Sequence, residues 1–312
     1  MVYQNTQWFN PIRSLRFVII ILLILLLTLS CKHQSEGKEG QRLILQTEAE
    51  TVISVAAFNI QVFGRSKMGK VGVPEILADI ITRYDVILIQ EIRDISETAV
   101  YELLDLVNAE SNGEYSLLLS DRLGRTSSKE QYAYFYKTKV LSVLGTYHYD
   151  DGLEPDADIF EREPYLVRFQ VVSHLLNFSM IGIHAAPGDA EAEVDYLVDV
   201  YQDMQTYWQE TEVMLLGDFN ADCTYISDSD QANIRLWQDS RFVWWIDDDA
   251  DTTTKSTDCA YDRIVTHSDL ESRIVADSAG VFRFDQEYGL SAEETEVISD
   301  HYPVEIKIRV DG

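Results

Sequence analysis

Basic residues are scarce in this chain. Lysine and arginine number 25 against 53 aspartates and glutamates, for a formal net charge of -28. Such a field repels polyanions at long range, so any nucleic-acid chemistry needs local arginines and metal ions to offset it. Cysteine is rarer, at three, too few for a disulfide-dense scaffold. With no CxxC and no HExxH, and with histidines far apart, a zinc site is disfavoured. No glycine-rich phosphate loop with lysine is present, which argues against an ATP-driven reaction. No repeat with a period of about 20–50 residues is evident, so a solenoid is disfavoured.

The amino terminus has one apolar run. Arg13 and Arg16 precede residues 17–29, 13 residues of which only Thr28 is not strongly apolar. That is short for a membrane span and right for a signal-peptide core. Thr28-Leu29-Ser30-Cys31 resembles a bacterial lipoprotein cleavage box. The expected organisation is a signal peptide of lipoprotein type over residues 1–30, a flexible tether over 31–50, and a catalytic domain over 51–312. An ordinary secretory signal or an uncleaved anchor are the alternatives. With Cys31 lipidated, the protein would sit on a bacterial membrane, facing the periplasm or the cell surface; otherwise it is secreted. Cys223 and Cys259 then remain, and an even pair in an exported protein suggests one disulfide, against two buried free thiols.

Strand-like apolar runs alternate with amphipathic helix-like runs, the pattern of a layered α/β fold. Strands are predicted over 51–58, 85–91, 115–119, 131–137, 139–147, 165–172, 177–184, 213–217, 261–265 and 304–310. Helices are predicted over 74–84, with proline at its start, over 96–110, with Ser96 as its cap, and over 189–208. In the last, Val194, Leu197, Val198, Tyr201 and Trp208 form the stripe, and Asp189, Glu191 and Glu193 crowd the positive end of the helix dipole.

Seven polar residues stand at or beside the ends of apolar runs: Asn59, Glu91, His184, Asp218, Asn220, Asp300 and His301. In layered α/β folds, strand ends on one edge gather into a single site. Oxygen ligands favour Mg²⁺, Mn²⁺ or Ca²⁺, and two histidines beside carboxylates suit proton transfer near neutral pH. Metal plus acid and base suggests hydrolysis of a phosphate ester.

The stretches Ala57-Phe-Asn-Ile60, Ile89-Gln-Glu-Ile-Arg93, His184-Ala-Ala-Pro187, Gly217-Asp-Phe-Asn-Ala-Asp222, Cys259-Ala-Tyr-Asp-Arg-Ile264 and Ser299-Asp-His-Tyr-Pro303 resemble the deoxyribonuclease I family of the endonuclease/exonuclease/phosphatase superfamily. The resemblance covers about residues 52–310. It implies a four-layer α/β/β/α sandwich, two packed mixed sheets flanked by helices. It also implies low-specificity, Mg²⁺-dependent (or Mn²⁺-dependent) cleavage of DNA phosphodiesters with structural Ca²⁺. By matching motif, Glu130 pairs with His184 and Asp262 with His301, the histidines serving as general acid and base. Asn59, Glu91, Asp218 and Asp300 hold the catalytic Mg²⁺, and Asp218 and Asn220 surround the scissile phosphate. Arg93, Arg162 and Tyr261 contact DNA. Asp151, Asp158, Phe160 and Glu163 match one Ca²⁺ site; Asp251, Thr253 and Thr257 match the other. Cys223 and Cys259 match the main disulfide.

Some positions depart from the family. Leu153 and Asp156 stand where a small disulfide is usual, and Lys255 stands where threonine is usual. Gln61 replaces a DNA-contacting arginine and Ser128 a tyrosine that packs on a sugar, which implies an altered grip on duplex DNA. The expected protein is a monomer without actin binding. The competing function is a phosphodiesterase of the same superfamily acting on phospholipid head groups or abasic DNA.

Overall fold

The computed structural model describes residues 51–152 and 158–311. The expected signal peptide, the tether, Cys31, Leu153 and Asp156 lie outside the described residues.

The strands are β1 (Val52–Phe63), β2 (Val86–Ile92), β3 (Tyr115–Leu119), β4 (Gln131–Lys137), β5 (Leu141–His148), β6 (Tyr165–Val171), β7 (Asn177–His184), β8 (Val213–Asp218), β9 (Phe242–Trp244), β10 (Asp262–His267), β11 (Gly280–Val281) and β12 (Val304–Arg309). The helices are α1 (Arg65–Met68), α2 (Val73–Thr82), α3 (Thr98–Ser111), α4 (Ala190–Trp208), α5 (Asp228–Gln231), α6 (Arg235–Gln238), α7 (Ser268–Glu271), α8 (Phe284–Tyr288) and α9 (Ala292–Ile298). One sheet runs β11-β12-β1-β2-β4-β3 and the other β5-β6-β7-β8-β10-β9. Each is mixed, with a single parallel pair at its centre: β1 with β2, and β7 with β8.

Central strands of such sheets are covered on both faces, which is why they read as continuous apolar runs. In β1, Val55 and Ala57 point into the core between the sheets, while Ala56, Phe58 and Ile60 point outward against α2 and α3. The inter-sheet core continues through Tyr134, Phe169, Met180 and Leu216. On the far side, β7 and β8 bury Ile181, Ile183 and Leu215 beneath Val194, Leu197 and Tyr201 of α4. The layers are therefore helix, sheet, sheet, helix, as the resemblance implies.

Several details differ from the sequence expectations. Strand β1 runs on to Phe63, past the predicted end at 58, and the short helices α1 and α5 to α9 have no counterpart among the predicted helices. The helix predicted from Ser96 starts at Thr98, and the Asp94 carboxylate accepts from Ala99 N in its first turn at 2.9 Å and from Ser96 N just before it at 3.1 Å. A carboxylate four residues before the helix outcompetes the nearer hydroxyl because it accepts several donors at once. The short strands β9 and β11, three and two residues long, are too brief to leave a periodic signal.

The sheets close most tightly at two glycines. A Cβ at Gly182 would lie 2.5 Å from Tyr134 Oη and 2.9 Å from Leu88 Cδ2. A Cβ at Gly217, where φ is +132°, would lie 2.1 Å from Ile183 O and 2.8 Å from Gln90 Nε2. Gly182→Ala is therefore expected to destabilise the fold by about 1–3 kcal/mol through overpacking. At Gly280 an added Cβ meets nothing within 4 Å, and Gly280→Ala should stay within about 0.5 kcal/mol of wild type. Urea denaturation of the two variants checks the contrast.

Candidate active site

The parallel centres of both sheets end at one edge. Asn59 lies on β1 and Glu91 on β2 of the first sheet. His184 ends β7 and Asp218 ends β8 of the second, directly paired in register. Asp262 opens β10 opposite Asp218. The segment before β12 supplies Ser299, Asp300 and His301, and Ser299 Oγ donates to Asn59 O at 2.6 Å.

Asp218 is the hub. Its Oδ2 accepts from Asn59 Nδ2 at 3.0 Å, and the same amide reaches Glu91 Oε1 at 3.1 Å. Two imidazoles face that oxygen: His184 Nε2 at 3.5 Å and His301 Nε2 at 3.6 Å. Each ring is held from behind by a buried carboxylate. His184 Nδ1 meets Glu130 Oε2 at 2.9 Å, and His301 Nδ1 meets Asp262 Oδ2 at 2.7 Å. The carboxylate fixes each ring's orientation and leaves Nε2 to work. Asn220 binds back to the scaffold, its Nδ2 on Ala185 O at 2.9 Å and its N–H on Asp218 Oδ1 at 3.0 Å. Glu91 and Asn220 both have positive φ, 61° and 49°. Non-glycine residues seldom sit there, and such strain gathers at functional sites.

The charges are tuned by these neighbours. Burial opposes charge on His301, but Asp262, Asp218 and Asp300 outweigh it and raise the imidazole to about 10. Burial likewise opposes charge on Asp300, yet His301 and Lys255 hold its carboxyl below the ordinary value. Burial again opposes the Glu130 charge, and His184, Arg162 and Arg93 hold that carboxyl low.

The donor set fits a hard divalent cation. Glu91, Asp218 and Asp300 bring carboxylates into a cleft of about 300 Å³. Asp300 Oδ1 is buried with no hydrogen-bond partner, an arrangement that a bound cation would satisfy. Asp218, Asp262 and His301 also place ligand atoms close enough to share an ion, although Asp262 and His301 are already bonded to each other.

The other expected site residues fall in three places. Tyr261 lines the cleft. Arg162 is buried, with Nε donating to His184 O at 3.0 Å and Nη2 unpartnered; half-buried Arg93 donates from Nη2 to Ser128 Oγ. Thr253 is tied to both Asp251 and Thr257 through its hydroxyl, so those three oxygens gather beside His301, which Thr253 bridges. In the acidic loop, Asp151 Oδ2 accepts from Ile159 N and Phe160 N at 2.7 and 2.9 Å. Burial raises the Glu163 carboxyl, with Asp151 and Asp158 adding to the effect, while Asp158 is engaged by Arg125 at 3.1 Å. Cys223 and Cys259 form a disulfide, Cα–Cα 5.9 Å.

Three buried polar residues support the site. Buried Gln90 donates from Nε2 to Ile183 O at 2.6 Å and accepts from Asp218 N at 3.2 Å, joining the sheets. Lys67 Nζ donates to Ile60 O, Gln61 O and Ile298 O at 2.5–2.8 Å, pinning a turn in which Gln61 and Val62 have positive φ. Glu193 sits in the first turn of α4, as expected, and is also fully buried, accepting from Glu161 N at 2.9 Å and Ala186 N at 3.2 Å. Its spacing from Leu197, Val200 and Met204 places it on the core face of α4, a signal available in the sequence.

Residues 56–301 match the endonuclease/exonuclease/phosphatase family. The chain is 46% identical over 260 residues to Deoxyribonuclease-1 of Homo sapiens, covering 82% of this chain and 92% of that protein. It is 46% identical over 259 residues to the Bos taurus protein, with the same coverage. Among solved structures, it resembles an endonuclease/exonuclease/phosphatase family protein from Bacteroides thetaiotaomicron with a TM-score of 0.58 at 17% identity, covering 85% of this chain and 100% of that one. D. rerio TDP2, complexed with a single-strand DNA product, matches with a TM-score of 0.56 at 12% identity, covering 83% and 99%. These two likenesses concern the fold. The chain belongs to the endonuclease/exonuclease/phosphatase family, and within that family it is a deoxyribonuclease I-type enzyme.

The raised His301 has a consequence for stability. A histidine whose folded value lies above its unfolded one stabilises fully below the unfolded value, and that contribution is lost as pH rises through the folded value. In EDTA, the stability advantage of wild type over His301→Gln should therefore be largest below pH 6.5 and shrink towards pH 10. Urea melts of both proteins across that range check it.

Proposed function

We propose that this chain is an exported, metal-dependent endonuclease that hydrolyses DNA phosphodiester bonds with little sequence preference. The observation that carries the reading is the convergence of two carboxylate-anchored imidazoles, His184 and His301, on one oxygen of Asp218. Hydrolysis of a diester needs a base for the attacking water and an acid for the leaving oxygen. One Nε2 takes the water proton as the new P–O bond forms. The other gives a proton to the oxygen whose bond to phosphorus breaks. Glu130 and Asp262 keep both rings oriented through the transfer.

Glu91, Asp218 and Asp300, with Asn59 beside them, are the residues that would hold Mg²⁺ or Mn²⁺. A bound divalent ion would stabilise the charge on the phosphate oxygens. Arg93, Arg162 and Tyr261 are assigned to the DNA contact. The oxygens of Asp251, Thr253 and Thr257 are assigned to one structural Ca²⁺, and Asp151, Asp158, Phe160 and Glu163 to a second. Export is supported by the Cys223–Cys259 disulfide and by the apolar run at residues 17–29; lipid attachment at Cys31 rests on the sequence alone.

Purified protein should nick supercoiled plasmid with Mg²⁺ and Ca²⁺ present and stop in EDTA. His184→Ala and His301→Ala should each lower kcat by at least about 10²-fold, the scale of general acid–base catalysis. Wild type that stays inactive with every divalent ion across the pH range, or a His184→Ala variant that nicks normally, would overturn the reading.

A further inference from the structure

The active-site cleft is acidic, and among the described residues that line it only one is a lysine or an arginine. That residue is Lys255. It stands on the loop that carries Asp251, Thr253 and Thr257, and its backbone surroundings are fixed to the catalytic segment. Thr254 N donates to Asp300 O at 2.9 Å, Thr254 Oγ1 donates to Ser299 O at 2.9 Å, and Thr253 bridges His301. The stem of Lys255 thus starts from a held position. Its Nζ lies 2.9 Å from Asp300 Oδ2, with the side chain half exposed to the cleft.

An ammonium has three donors, and this contact uses one. A lysine ammonium is charged at neutral pH. Around it stand three carboxylates, in a chain of net charge -28. A diester entering this cleft meets repulsion from Glu91, Asp218 and Asp300. Lys255, the one lysine or arginine among the described residues lining the cleft, is half exposed there, so its ammonium can turn towards the nonbridging oxygens.

We propose that Lys255 is a substrate-binding residue of this cleft, donating to a nonbridging phosphate oxygen of the DNA backbone at or beside the bond that is cut. The inference rests on the nuclease reading and deepens it. Binding and turnover place different demands on this residue. A phosphate contact made equally before and during the reaction changes KM and leaves kcat alone. It also releases counterions, so it adds to the salt dependence of binding.

The test compares Lys255→Met, which keeps the stem and removes the charge, with Lys255→Arg, which keeps the charge. Duplex binding is followed by fluorescence anisotropy across a NaCl series in a His184→Ala background with Mg²⁺. Thermal melts confirm that each variant is folded. Lys255→Met should weaken binding about tenfold, the scale of a charge-assisted hydrogen bond. It should lower the slope of log K against log salt by about 0.9, one phosphate contact. Lys255→Arg should restore both. In the active background, Lys255→Met should raise KM while kcat stays within about twofold.

Unchanged affinity and slope in Lys255→Met would overturn the inference while leaving a nicking wild type, and so the nuclease reading, intact. A variant that alters the Mg²⁺ requirement or kcat with KM unchanged would also overturn it, showing that Lys255 only neutralises Asp300. Wild type that neither binds nor nicks DNA would remove both readings together.

Discussion

The close approach of the two sheets at the Gln90–Gly217 contact is the constraint on which the site depends. Gln90 precedes Glu91 in the first sheet and Gly217 precedes Asp218 in the second. The Gln90 amide spans the gap, giving a hydrogen bond to Ile183 O and taking one from Asp218 N. No side chain fits at position 217, where a Cβ would lie 2.8 Å from Gln90 Nε2 of the facing sheet and 2.1 Å from Ile183 O on the adjoining strand. The clamp therefore sits one residue behind both carboxylates. A buried amide with both ends satisfied in low dielectric has few alternative arrangements, so the register between the sheets is set where the chemistry needs it.

From that register the rest of the site follows. Parallel pairing brings His184 beside Asp218, and antiparallel pairing brings Asp262 opposite Asp218. Asn59 links Asp218 to Glu91 across the seam. The outcome is a cluster with more negative than positive groups, eased by two imidazoles and by Lys255. Such a cluster is costly to bury unless charges are paired. The unpartnered Asp300 Oδ1 marks where that compensation is incomplete. Acidity that looks unsuited to a polyanionic substrate is thus concentrated where a divalent cation would reverse its effect.

Much of this was legible in the sequence, for physical reasons. Strands buried on both faces leave apolar runs, and α4 has a long stripe at helical spacing. Carboxylates, amides and imidazoles at the ends of those runs stood out because polar groups rarely interrupt a buried strand without purpose. The pairings Glu130–His184 and Asp262–His301 came from motif resemblance, since residues 54 and 39 positions apart leave no local trace of contact. What stayed hidden depends on tertiary partners. Gln90 reads as one more strand residue until Ile183, 93 positions away, lies against it. Lys67 reads as a surface lysine until three carbonyls surround it. Glu193 sits in the first turn of α4, where an acid suits the dipole, and its spacing also places it on the core face.

The claim that the sheet-to-sheet clamp sets the catalytic geometry is tested most directly by kcat for plasmid nicking in Gln90→Leu, measured on protein shown to be folded. The account predicts a loss of about 10²-fold, the cost of misplacing catalytic groups by roughly an ångström. A folded Gln90→Leu enzyme that nicks at the wild-type rate would contradict it.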